Sequence, residues 1–137
     1  MKFKYANQDA SVDAQISQIM RSMGIPANIN GYHYLRAAIR IMYDSGCHES
    51  MTGTIYPRVA EMYSTTPACV ERSMRHALKI ACSRGNSDVL VDFFSYTIVY
   101  KKKCPSNGEF VMAITDTLRT ENGLSPCISR SVAKRLR

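Results

Sequence analysis

Acidic residues are scarce in this chain: eleven Asp and Glu stand against eighteen Lys and Arg in 137 residues, a formal net charge of +7. That imbalance favours a polyanionic partner, either nucleic acid or an acidic membrane surface. Long apolar runs are missing as well. The greasiest stretch, "VLVDFFSYTIVY", is broken by Asp92 well short of a membrane span. The opening "MKFKYANQDAS" has lysines but none of the apolar residues that follow them in a secretory signal. The expectation is a soluble, cytoplasmic protein with no membrane partner.

Metal and catalytic signatures are also lacking. The five cysteines (Cys47, Cys69, Cys82, Cys104 and Cys127) are odd in number and scattered, without a CxxC pair, and read as reduced thiols. No nucleophile with its base, paired carboxylates or phosphate loop stands out. Cys69 and His76 share a helix face but lie about 10 Å apart along the axis, too far for a thiolate pair. Cys47, His48 and His33 are the nearest thing to a ligand set, and His33 reads better as a core-edge residue beside Tyr32 and Tyr34. No enzyme and no cofactor is expected. Strand pairs are absent too, because "YTIVYKKK" is strand-compatible but has no partner and reads as loop or helix end.

What remains is helical periodicity. Val12, Ile16, Ile19, Met20 and Met23 recur at helix spacing after Ser11, and Gly24 and Pro26 end the run. A second helix from near Asn30 gathers Tyr34, Leu35, Ala38, Ile39 and Met42 on one side. A short third places Ile55, Val59 and Met62 on one face, with Pro57 in its first turn. The fourth is predicted over about 67–83: Thr66 and Pro67 start it, and Arg84 and Gly85 stop it. A fifth starts near Ser87, and a sixth runs from the capping-box pair Ser106 and Glu109 through Phe110, Ile114 and Leu118 towards Gly123. The reading is an all-α, six-helix bundle. Residues 1–10 form a loose start, 11–122 one domain, and 123–137 a basic tail.

Helices three and four, joined by "STT", have the spacing of a helix-turn-helix, whose second helix enters the DNA major groove. Ala60 and Val70 supply the small residue and the anchor of the crossing. On helix four, Val70, Met74, Ala77, Leu78 and Ala81 form the apolar stripe, while Ala68, Cys69, Arg72, Arg75, His76 and Lys79 lie opposite. Short side chains first and long cations after them suit a helix that sinks into a groove. Two antiparallel bundle helices with a solvated basic face would show the same pattern, so both readings stand at this point.

The stretches "GIPANINGYHYLRAAIRIMY", "TIYPRVAEMYSTTPACVERSMRHALKIACSRGN" and "FFSYTIV" resemble, in order, the DNA-binding effector domain of the stage zero sporulation protein A family. The resemblance covers about Ser11 to Arg119. It implies a transcription regulator that binds TGTCGAA-like boxes in double-stranded DNA. The family's "VERxxRHA" run matches Val70, Glu71, Arg72, Arg75, His76 and Ala77, which implies base contacts from Glu71 and Arg72. Thr65, Thr66, Arg75, His76 and Lys79 are then expected on phosphates, beside the close-approach residues Ala68 and Cys69. Cys69 stands where the family usually has arginine, so box preference is expected to be relaxed. The segment bearing Gly85, Asn86 and Phe94 corresponds to the region that touches the RNA polymerase sigma subunit in activating members. The family's N-terminal receiver domain has no counterpart here, which implies occupancy without phosphorelay control, aided by head-to-tail self-association on DNA or by the tail. The alternative is a non-enzymatic interaction module that pairs with or antagonises full-length family regulators without reading DNA.

Overall fold

The structure, a computed structural model, describes residues 10–84, 88–94 and 104–127. The N-terminal residues 1–9, Gly85, Asn86, the "YTIVYKKK" segment and the chain beyond Cys127 lie outside them. The described residues form six helices and no strand, as the periodicity predicts.

Helix α1 (Val12–Ser22) begins where Ser11 Oγ accepts the Ala14 N–H at 3.2 Å, which satisfies one of the four orphan donors of a helix start. It buries Ile16, Ile19 and Met20 and turns away at Gly24, whose φ of +87° is left-handed. Helix α2 (Asn30–Ser45) ends on Gly46 in the same conformation. A π-helical turn, Met51–Ile55, opens on Ser50 and leads directly into α3 (Tyr56–Met62), so Pro57 falls at a junction where its missing N–H is tolerated. Helix α4 spans Pro67–Arg84, α5 covers 88–94, and α6 (Asn107–Glu121) starts with the Ser106 and Glu109 capping box in place.

The centre is α2, which packs against α1, α3, α4 and α6. Its Leu35, Ile39 and Met42 meet Ile16 and Met20 of α1, Val70 and Met74 of α4, and Phe110, Ile114 and Leu118 of α6 in one core, each of them essentially inaccessible to water. Each such side chain removed from water contributes about 1.5–3 kcal/mol. The core therefore holds α4 by the stripe opposite its cations.

Two expectations need correction. Met62 does not share the buried face of α3: it is 60% exposed, and Ala60 is buried with Val59 instead. The helix ends at Met62, and only the smaller Ala60 fits the close crossing with α4. The cysteines are not five free thiols, because Cys47 is bonded to Cys127 and Cys82 to Cys104, leaving Cys69 free. Separations of 80 and 22 residues hid both pairs from any reading of local spacing. After α6 the Leu124 N–H donates to Arg119 O at 2.7 Å and the Cys127 N–H to Asp116 Oδ1 at 2.8 Å, which holds residues 124–127 against that helix.

Candidate nucleic-acid interface

Helices α3 and α4 are joined by a tight turn, Tyr63–Thr66. Ser64 takes a φ of +54° and the Thr65 N–H returns to Ala60 O at 2.9 Å, which reverses the chain within four residues. Thr66 Oγ1 then accepts the Cys69 N–H at 3.1 Å, the N-cap expected from its sequence. Ala60 and Val70 are both buried at the crossing. The Tyr63 ring meets Tyr34 of α2 edge-on at 5.1 Å and ties the turn to the central helix.

The stripe Val70, Met74, Ala77, Leu78 and Ala81 is buried, so the opposite face of α4 is open to water. Ala68, Arg72, Arg75, His76 and Lys79 are exposed on it, and Cys69 and Glu71 are half-buried at its edges. Thr66 is exposed and Thr65 half-buried at the head of the helix. The cations differ in what holds them. Arg75 is paired with Glu71 at 3.0 Å, one turn apart. Arg72, His76 and Lys79 have no carboxylate partner among the described residues. Elsewhere Arg40 is held by Asp44 at 3.0 Å and Asp13 at 3.4 Å, and these carboxylates raise its pKa, chiefly through the Asp44 hydrogen bond. Arg40 of α2 is thus neutralised, whereas on α4 only Arg75 is paired among the described residues.

Cys69 sits in the first turn of α4, with its Sγ 3.9 Å from Ser73 Oγ. Its thiol pKa is lowered, first by a hydrogen bond from Thr65, then by Ser73, with a smaller contribution from the Arg72 charge. Tyr34 moves the other way, because burial penalises its phenolate and Cys69 and Tyr63 add repulsion.

Two clefts flank α4. One of about 600 Å³ runs between Arg75 and Lys79 on one side and Tyr56 and the first turn of α6 on the other. The second, about 290 Å³, lies between Arg72 and His76 and the first turn of α2 at Asn30 and Gly31. Each places the positive end of a neighbouring helix dipole beside cations of α4.

Phe94 does not stand on this surface or any other. It is buried, 6% exposed, and stacks on Phe110 at 5.6 Å, so its ring packs the core. Two residues that matter for the site escaped the sequence reading. Gly31 allows the α2 backbone to touch α4, since a Cβ there would overlap the Ser73 carbonyl oxygen and stand 2.8 Å from Ala77 Cβ. Asn107, at the start of α6, donates from Nδ2 to Tyr56 Oη and to Glu71 O, each at 3.1 Å. A glycine one residue inside a helix was the available signal for the first. Nothing local signals the second.

No described helix is long and apolar enough to cross a membrane. The family model described as sporulation initiation factor Spo0A C terminal matches residues 16–118 of the chain.

Proposed function

Because the chain belongs to the sporulation initiation factor Spo0A C-terminal family, the DNA-binding effector domain of sporulation regulators, we propose that it is a sequence-specific regulator of transcription that lays α4 in the major groove of double-stranded DNA. The observation that carries this reading is the contrast within α4: one face is buried, and the other offers Arg72, His76 and Lys79 without a carboxylate partner among the described residues. Unpaired cations on a helix of about 27 Å, fixed by its opposite face, match the phosphate-lined groove of B-DNA.

In this reading Arg72, exposed at the middle of the line, takes a guanine through O6 and N7. Glu71 accepts from cytosine N4, exchanging its bond to Arg75 for the base and releasing Arg75 towards a phosphate. Thr65, Thr66, His76 and Lys79 serve the backbone, and the short Ala68 and Cys69 let the helix enter closely. Preferred sites are TGTCGAA-like boxes, recognised in the cytoplasm. Contact with the polymerase sigma subunit through the segment after α4, and head-to-tail association of neighbouring copies on DNA, belong to the same reading. Phe94, being buried, supports that segment from inside rather than touching a partner.

Fluorescence anisotropy with a box duplex and a scrambled duplex tests the proposal. The box is expected to bind more tightly, with affinity falling as salt rises. Arg72→Ala should remove about 1–3 kcal/mol of discrimination, the worth of one bidentate base contact. Lys79→Ala should weaken both duplexes alike and lower the salt slope by about one. Equal affinity for the two duplexes would sink sequence-specific reading. Absence of binding at low salt would favour a module that pairs with family regulators.

A further inference from the structure

We propose that Gly31 and Asn107 are positioning residues for box recognition: they fix the height and tilt of α4 so that Glu71 and Arg72 meet base edges in register. The inference rests on the DNA-reading role proposed above.

The argument is geometric. Asn107 is 7% exposed, and its single amide group fastens both helices of the helix-turn-helix, through Tyr56 Oη at the start of α3 and through the main-chain oxygen of Glu71 in α4. Its own Oδ1 is buried without a partner, so the side chain stands there at a cost, and its two donated bonds are what it supplies. The anchored oxygen belongs to the very residue whose side chain is assigned to a base, and it immediately precedes Arg72. On the other flank, Gly31 brings the α2 backbone against the Ser73 carbonyl, immediately after Arg72. Residues 71 and 73 are about 200° apart around the helix. The Arg72 backbone is therefore referenced from both sides, by α6 through a hydrogen bond and by α2 through contact.

Bidentate recognition needs placement to about 0.5 Å. Any side chain at position 31 must push α4 away from α2, because the obstacle is main chain and Ala77 Cβ, neither of which can swing aside. Phosphate contacts by the long, exposed Arg75 and Lys79 tolerate such a shift, and base contacts do not. Displacing α4 without changing any DNA-facing side chain should therefore lower discrimination and spare non-specific affinity.

The test uses the full chain and the box and scrambled duplexes at one salt concentration, with the folded fraction set by circular dichroism. Gly31→Ala and Asn107→Ala are expected to lower the box-to-scrambled affinity ratio about fivefold or more, the lower end of one bidentate contact, with scrambled-duplex affinity and salt slope unchanged. Tyr56→Phe, which removes a single acceptor, should lower the ratio by about two- to threefold. This milder variant keeps the test open should either of the others not fold. A folded variant with lowered thermal stability but an unchanged ratio would show a merely structural role and overturn the inference. A wild-type protein without box preference would overturn the DNA-reading role itself.

Discussion

At its C-terminal end α2 runs into a closed set of partners, whereas at its N-terminal end it stops beside α4 with no capping side chain. The closed end is finished several times over. Gly46 turns the chain, Arg119 donates to Tyr43 O at 2.6 Å while its guanidinium lies over the Tyr43 ring, and Asn122 bonds both Tyr43 Oη and Gln15. Cys47 is then bonded to Cys127. The open end has Ile29 in the cap position, no side-chain acceptor and no acidic residue in the first turn, and it faces Arg72 and His76 across a cleft. One end is closed by side chains of α6, while the other has no side-chain cap and stands beside Arg72 and His76, an arrangement suited to an anion. The cross-bonded end and the end beside the proposed DNA-reading residues are thus opposite ends of the same helix.

The largest effect that would break this contrast belongs to the closed end. Replacing Cys47 and Cys127 together by serine is expected to lower unfolding free energy by about 2–4 kcal/mol, the usual worth of a bond closing a long loop, in urea titrations without reductant. Box affinity at a temperature where the variant stays folded should not change. A variant as stable as the parent, or one that loses box preference while folded, would erase the division between the ends. Before any substitution, mass spectrometry after maleimide treatment should find one reactive thiol, Cys69, in the non-reduced protein and five after reduction and unfolding.

At the open end the effects should be smaller and differently distributed. Thr66→Ala removes the acceptor for the Cys69 N–H and is expected to lower stability by about 1 kcal/mol. It should weaken box and scrambled duplexes together, because a frayed first turn displaces phosphate contacts as well as base contacts. Thermal melts and anisotropy on one preparation would separate this outcome from a pure stability loss. The smallest effect concerns Cys69. Since Thr65, Ser73 and Arg72 favour its thiolate, the pH midpoint of its alkylation should lie below that of an ordinary cysteine. Thr65→Val should raise that midpoint. A midpoint at or above the ordinary value would show that desolvation of the thiol outweighs these donors.

Much of the frame was legible because it is written in local periodicity. Thr66 and Ser106 cap the helices they were expected to cap, and the apolar stripe of α4 is buried residue for residue. The errors arise where a residue's fate depends on something distant in sequence. Met62 has core spacing, yet the helix ends at that residue and the crossing with α4 accepts Ala60. Phe94 lies in the segment that the resemblance associates with a partner, yet a ring from α6 stacks on it. Gly31 and Asn107 gain their meaning only from Ser73, Tyr56 and Glu71, between 36 and 51 residues away in the case of Asn107. The candidate site divides in the same way. The basic residues of α4 are visible in a helical projection, whereas the pairing of Arg40 with Asp13, 27 residues away, needs the assembled fold.

The bond between Cys47 and Cys127 also settles where the described chain ends. Cys127 lies at the C-terminal end of α2, with its Cα 5.5 Å from that of Cys47, and α2 is about 24 Å long. A dye or tether attached at Ser125, two residues before that bond, would therefore stand about a helix length from Gly31 at the other end of α2. Surface-immobilised measurements of DNA binding anchored at Ser125 would leave the cleft between Gly31, Arg72 and His76 at the opposite end of α2 from the support.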